Sequence, residues 1–306
     1  MASAKTSEHI LPLSYFGAKH NVASEVWARL GRPKNYVEPF CGRADMLVLR
    51  PIPPRDKENM TETINDVFGL VVNLHRTIRD APFELAELLC EPLTELDVRA
   101  RWRLCLDALP LLTSRLEADP DFFDLRLAHF YIYTANALVG GFKTNLTKSK
   151  PICAGGYPGR ETFSGRKRGN LNNIFCRLAV RLQRVRILCG EWERALTKVV
   201  TLWADPQYKW TCGVFLDPPY ENYEKLYGEV ESRVSTRVRE WALANGDHPR
   251  FRIALCGTYA EHAGYMPESW ECLAWTGHHE WGEKDESNTR HNECVWFSPH
   301  CHKVTK

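Results

Sequence analysis

Short apolar runs of strand length alternate with stretches of helical spacing at both ends of the chain, and a helical block followed by a polar one separates those ends. Tyr36-Val37-Glu38, Glu62–Asp66, Val185–Cys189, Cys212–Leu216, Phe251–Cys256, Trp270–Trp275 and Glu293–Ser298 read as strands. Val22–Leu30 reads as a helix, with Asn21 as its cap and Val22, Val26 and Leu30 on one face. Val67–Arg79, with Val71, Leu74 and Ile78 on one face, reads likewise, as do Glu191–Trp203 and Glu229–Asn245. From Pro82 to Leu138 the spacing is helical throughout: Leu85, Leu88 and Leu89, then Trp102, Leu104, Leu106 and Leu109, then Phe123, Leu127, Phe130 and Tyr131. Asn136 to Asn173 repeats Gly among Lys, Arg, Asn, Ser and Thr, which predicts a flexible polar loop. Gly277 to Asn292 is polar and charged, and is expected to be disordered without a partner. The pattern predicts an α/β fold: a mainly parallel, doubly wound sheet with an antiparallel hairpin at its end. Residues 1–80 and 185–306 supply this core, and 81–184 form a helical and basic insertion.

Composition narrows the setting without naming a function. Hydrophobic residues make up 44% and charged residues 25%, as in ordinary soluble domains. No apolar run approaches the roughly 18 residues that a membrane span needs, and Met1 to Ile10 lacks the apolar core of a signal peptide. The 11 cysteines are an odd count with no CxxC pair, so neither a disulfide framework nor a zinc ribbon is indicated. The expected compartment is a reducing cytoplasm. His300-Cys301-His302 is a ligand-like trio, but in a tail it reads as solvated surface, and no metal is expected.

Charge changes the picture more. The net charge is +2, yet Asp80 to Asp124 holds 11 acidic against 4 basic residues, whereas Gly140 to Gly190 holds 11 Lys/Arg against the single acid Glu161. Such a basic segment can neutralise several phosphates of a polyanion. A solvated basic helix would account for Arg177, Arg181, Arg184 and Arg186. It accounts less well for Lys143, Arg160, Arg166, Lys167 and Arg168 in the Gly-rich stretch, whose side chains suit phosphates and base edges.

The candidate chemistry centres on Asp217-Pro218-Pro219-Tyr220, directly after the apolar run Cys212–Leu216. A strand stopped by a carboxylate and two prolines ends at the edge of a sheet, where open α/β sheets bind ligands. The tetrad offers a carboxylate, a carbonyl from a residue without an N–H, and an aromatic face. That set suits a planar ring carrying an exocyclic amine, although Pro-Pro-Tyr also occurs in plain loops. Two further stretches add to it. In Glu38-Pro39-Phe40-Cys41-Gly42 a short strand runs into a small-residue turn, where Gly42 permits close backbone approach, while Gly17 precedes Lys19 at the entrance to the first helix. Asp66 ends the second strand 24 residues after Gly42, a spacing that suits a ribose diol.

Taken together, the sequence resembles the DNA adenine methylase (Dam-like) family of S-adenosylmethionine-dependent N6-adenine methyltransferases. Tyr15-Phe16-Gly17-Ala18-Lys19 looks like the family's N-terminal cofactor motif and Glu38-Pro39-Phe40-Cys41-Gly42 like its glycine turn. Asn65-Asp66 with Arg76-Thr77-Ile78-Arg79-Asp80 is similar to the next block, Asp217-Pro218-Pro219-Tyr220 matches the catalytic motif, and Asn292-Glu293-Cys294-Val295-Trp296 resembles the closing strand. Five motifs in order span most of the chain. Two positions depart: Ala18 and Arg43 stand where the family usually has glycines.

The resemblance implies a Rossmann-like methyltransferase fold with a target-recognition insertion. S-adenosyl-L-methionine would be the cofactor and double-stranded DNA the partner, in a bacterium or a virus-infected cell, in the manner of restriction–modification enzymes. It assigns catalysis to Asp217, Pro218, Pro219 and Tyr220, with Lys19 near the cofactor carboxylate and Asp66 at its ribose. Tyr15, Gly17, Glu38, Pro39, Phe40 and Gly42 would complete the cofactor site. The recognition sequence does not carry over, and the oligomeric state, a monomer included, stays open. RNA could replace DNA on the same site, and a non-catalytic nucleic-acid-binding protein on this fold is the other alternative. Cytosine N4 is disfavoured because that chemistry more often has Ser first in the tetrad.

Overall fold

The computed structural model describes residues 13, 19–51, 60–89, 95–137, 168–202, 210–220, 233–275 and 293–304. All seven stretches read as strands form strands: β1 (Asn35–Glu38), β2 (Thr61–Asp66), β3 (Val185–Cys189), β4 (Cys212–Leu216), β5 (Phe251–Thr258), β6 (Glu271–Trp275) and β7 (Glu293–Phe297). They make one sheet in the order β3-β2-β1-β4-β5-β7-β6. β1 runs parallel to β2 and β4, and β4 parallel to β5, while β7 is antiparallel to β5 and to β6. The fold is therefore α/β with a mostly parallel mixed sheet and an antiparallel edge. Every residue of β4 is buried, which is why its sequence is continuously apolar rather than alternating. The strand order reverses between β1 and β4, so their carboxyl ends flank the switch point at which such sheets take ligands.

The chain divides into two compact units: Lys19–Cys41, Leu49–Ile64 and Trp192–Lys306 in one, Met1–Ala18, Gly42–Val48 and Asn65–Glu191 in the other. In the first, α1 (Ala23–Leu30) and α9 (Val234–Gly246) pack on β5. Val22, Val26 and Leu30 are buried as their spacing predicts. Asn21 is not the cap: it sits in a 3-10 turn, His20–Val22, that leads into the helix, and Val22 takes the N-cap position without a side-chain bond. The helix expected over Glu191–Trp203 is broken. A 3-10 turn, Trp192–Leu196, ends at Thr197, whose side chain accepts from the Val200 N–H and starts the short α8 (Lys198–Thr201) afresh. Asn35, at the start of β1, donates to the carbonyls of Val200 and Thr201, each at 2.7 Å, and so holds that short helix to the sheet. α9 begins at Val234, and Glu229 of the expected helix lies outside the described residues.

In the second unit, which also holds the short α2 (Asp45–Val48), α3 (Gly69–Asp80) packs against α4 (Pro82–Leu88), α5 (Glu95–Ala118), α6 (Leu125–Ala137) and α7 (Arg168–Leu182). The buried stripe of α5 is Val98, Trp102, Cys105, Leu112 and Leu116. Leu104, expected on that face, falls one position off the helical period and is exposed. Arg76 is fully buried on α3; its guanidinium donates to the carbonyls of Leu116, Asp119, Phe122 and Ile187 at 2.7–3.3 Å. It supplies partners and positive charge to carbonyls at the end of α5 that no longer have helical donors. α7 reaches back to Arg168, so the end of the stretch expected as loop is helical. Arg181 on α7 donates to the Leu47 carbonyl at 2.8 Å, and Arg186 is an exposed residue of β3, so the arginines of that region do not form one helix face.

Candidate functional site

Asp217, Pro218, Pro219 and Tyr220 follow β4 at its carboxyl end. The carboxylate of Asp217 is engaged on both oxygens. Lys19 Nζ lies 3.0 Å from Oδ2, and the Tyr220 hydroxyl donates to Oδ1 at 3.3 Å. The Lys19 ammonium also sits over the Tyr220 ring, 5.4 Å from its centroid. Side-chain exposure is 6% for Lys19 and 18% for Asp217, so the pair is largely withdrawn from water.

Two neighbours complete the electrostatics. Cys256 lies on β5 one step beyond the Leu216–Leu255 pairing, and Glu293 opens β7. Burial pushes the Asp217 carboxyl up against the pull of Lys19, and Glu293 adds to the push. Burial also opposes the charge of Lys19, but the attraction of Asp217 and Glu293 exceeds it and holds the proton beyond the ordinary lysine range. The Tyr220 phenol and the Cys256 thiol are both driven up by burial first and by Asp217 second, so neither is a ready nucleophile.

At the end of β1 the donors and acceptors are already ordered. The Tyr36 hydroxyl donates to Glu38 at 3.1 Å, and Glu38 is buried. Pro39 is buried, and the half-exposed Phe40 ring rests on Trp192, with centroids 6.2 Å apart and planes 27° from parallel.

The glycine turn is clamped from both sides by its own unit. The Gly42 N–H donates to Asp66 Oδ2 at 2.9 Å, and the Gly42 carbonyl accepts from His75 Nε2 at 2.8 Å. Asp66 Oδ1 accepts the Phe68 N–H at 2.9 Å. Burial lifts the Asp66 carboxyl from its ordinary 3.8 to about 6, although these backbone N–H groups pull it back. Burial lowers His75, which therefore donates as a neutral imidazole. Gly42 (φ 44°) and Ala44 (φ 57°) take the left-handed conformation and Arg43 does not, so a side chain at 43 meets no backbone strain. Arg43 grips Asp45 with two bonds, Nε to Oδ1 at 2.7 Å and Nη2 to Oδ2 at 2.6 Å, and reaches the Leu13 carbonyl at 3.3 Å. The glycine usual at that position in the Dam-like pattern is thus not required by this turn.

Tyr15, Gly17, Lys143, Arg160, Arg166 and Lys167 lie outside the described residues, and Arg168 is the first residue of α7. Lys19, expected near a cofactor carboxylate, lies 3.0 Å from the carboxylate of Asp217. Sequence reasoning placed Cys256 and Glu293 in strands without linking them to Asp217, because that neighbourhood arises from cross-strand order. It passed over His75, although a histidine on the apolar side of a helix was a signal that its ring would need a partner. The terminal trio is used locally: His300 contacts the Asp247 carbonyl, Cys301 the Ile253 carbonyl, and the His302 N–H the Arg29 carbonyl. Among the described residues no group of three or more His, Cys, Asp or Glu is arranged to hold a metal ion, and no helix is long and apolar enough to cross a membrane. No protein-family model matches the chain, and no curated protein matches it.

Proposed function

We propose that the chain is a DNA methyltransferase that moves the methyl group of S-adenosylmethionine to N6 of an adenine, on a Rossmann-like methyltransferase domain. The observation that carries this reading is Asp217. It is a largely buried carboxylate at the carboxyl end of β4, beside β1 where the strand order reverses, and it already holds an amine-type donor at 3.0 Å. An exocyclic amine offers the same kind of donor as an ammonium. A purely binding site for a polyanion has no use for a carboxylate there.

The residues also fit the methyl donor. Asp66 accepts the Gly42 N–H on Oδ2 and the Phe68 N–H on Oδ1, and a carboxylate has about four acceptor sites, so it can still take a ribose hydroxyl. Gly42 presents no Cβ at a left-handed turn. Asp66 and the Gly42 turn would hold the ribose of the donor. When bound, it supplies an electrophilic methyl carbon on a sulfonium.

The chain's own groups do the rest. Adenine N6 is a poor nucleophile because its lone pair is delocalised into the ring. Asp217 accepts one N6–H and the Pro218 carbonyl the other, which favours a pyramidal nitrogen with its lone pair free to attack. As nitrogen gains positive charge, Asp217 stabilises it and then takes the proton that leaves. Tyr220 stacks on the extruded base and recovers part of the few kcal/mol that unstacking costs. The basic segment from Gly140 to Gly190, with 11 Lys/Arg, supplies the polyanion attraction that a DNA substrate calls for.

The test is methyl transfer from labelled S-adenosylmethionine to unmethylated duplex DNA, single-stranded DNA and total RNA, followed by nucleoside analysis. N6-methyladenine in DNA is the expected result. Label in RNA alone overturns the substrate, and no label in any of them overturns the reading.

A further inference from the structure

We infer that Lys19 is the positioning residue for Asp217: its ammonium holds the carboxylate ionised and aimed, and occupies on Oδ2 the place that the target amine takes over. The inference rests on the methyltransferase reading for the identity of that amine. It departs from the role the sequence suggests for Lys19, at the carboxylate of the cofactor.

Three observations carry it. The Lys19–Asp217 separation of 3.0 Å is a charge-assisted hydrogen bond, with both side chains mostly excluded from water. Tyr220 closes the other oxygen at 3.3 Å, so the carboxylate is fixed from two sides and its plane is set by side chains. The same ammonium lies over the ring of Tyr220 at 5.4 Å, so one cation covers both the acceptor and the aromatic face offered to a base. An entering adenine amine can replace it donor for donor, and no acceptor on Asp217 is stranded during the exchange.

The surroundings make the cation necessary. Among the described residues, the charged and titratable groups facing Asp217 are Lys19, Tyr220, Glu293 from β7 and Cys256 from β5. Of these only Lys19 is positive. With Lys19 removed, burial and Glu293 both favour the protonated carboxyl, which has lost an acceptor for N6–H and the negative charge that stabilises the cationic nitrogen.

The experiment compares wild type with Lys19→Met and Lys19→Arg. Single-turnover methyl transfer is measured from about pH 5 to 9, with S-adenosylmethionine affinity measured by calorimetry on the same proteins. Lys19→Met is expected to transfer about 100-fold more slowly at neutral pH. The acidic limb of its profile moves up by about one pH unit or more. Lys19→Arg restores most of the rate and the limb, and S-adenosylmethionine affinity stays within about twofold in both. Loss of cofactor affinity with an unmoved limb overturns the inference in favour of a cofactor-carboxylate role. A second readout does not depend on transfer: the carbon-13 titration of the Asp217 carboxyl, assigned by comparison with Asp217→Asn. It moves upward in Lys19→Met if the inference holds and stays put if it does not. A wild type without transfer activity but with that upward shift defeats the methyltransferase reading and leaves the pairing intact.

Discussion

Two aspartates at the ends of parallel strands are buried in opposite ways. Asp66, closing β2, is held by main-chain N–H groups of Gly42 and Phe68. Asp217, following β4, is held by the side chains of Lys19 and Tyr220. Backbone donors cannot leave without unmaking the turn they belong to, whereas an ammonium on a flexible stem can. Asp66 is therefore a fixed part of the glycine turn, and Asp217 is an acceptor whose partners can be exchanged. Exchange is what a reaction at an amine requires.

The largest expected effect separates the two directly. Asp66→Ala strands the Gly42 and Phe68 N–H groups and, in a denaturant titration at about pH 3.5, where the carboxyl stays protonated in the fold, should lower the unfolding free energy by about 4 kcal/mol. No second side-chain replacement rescues it. The paired replacement of Lys19 by Met and Asp217 by Leu removes both charges at once and should leave stability within about 1 kcal/mol of wild type. A paired variant as unstable as Asp66→Ala would erase the distinction.

Next in size is a pH effect. The carboxyl of Asp66 ionises near 6 in the folded protein against an ordinary 3.8, so the folded state holds this proton over a window in which the unfolded chain has released it. Stability from this group is greatest at low pH and falls by about 3 kcal/mol as pH rises through that window. Asp66→Asn cannot ionise, so the difference in unfolding free energy between the two proteins should change by that amount between about pH 3.5 and 7. A constant difference would mean that Asp66 is not held as the geometry indicates. The smallest effect is at the other side of the same turn. His75→Phe leaves the Gly42 carbonyl without its donor, and should cost about 1 kcal/mol with no change in the chemistry at Asp217.

The strands were legible because a buried parallel sheet writes itself as short apolar runs, and β4 with its abrupt Asp-Pro-Pro stop is the clearest of them. Helical bounds were less so. Thr197 competes as a cap inside a stretch of good helical spacing, and the true face of α5 runs through Cys105 rather than Leu104. The tetrad and the glycine turn could be read locally, since each is contiguous in sequence. What joins Lys19 to Asp217 could not: 198 positions separate them, and only folding brings an ammonium to that carboxylate. The same holds for His75 and Gly42, which are 33 residues apart. Arg43 teaches the reverse lesson. It departs from the Dam-like pattern, yet the turn bends at its neighbours and Arg43 spends its charge on Asp45.

The central claim is that Asp217 receives the amine on which the methyl group arrives. It is tested most directly by Asp217→Ala beside wild type, with single-turnover transfer to unmethylated duplex DNA and S-adenosylmethionine affinity measured on the same preparations. Transfer is predicted to fall by at least about 1,000-fold while affinity for the methyl donor is largely kept. Transfer at an undiminished rate by Asp217→Ala would contradict the account.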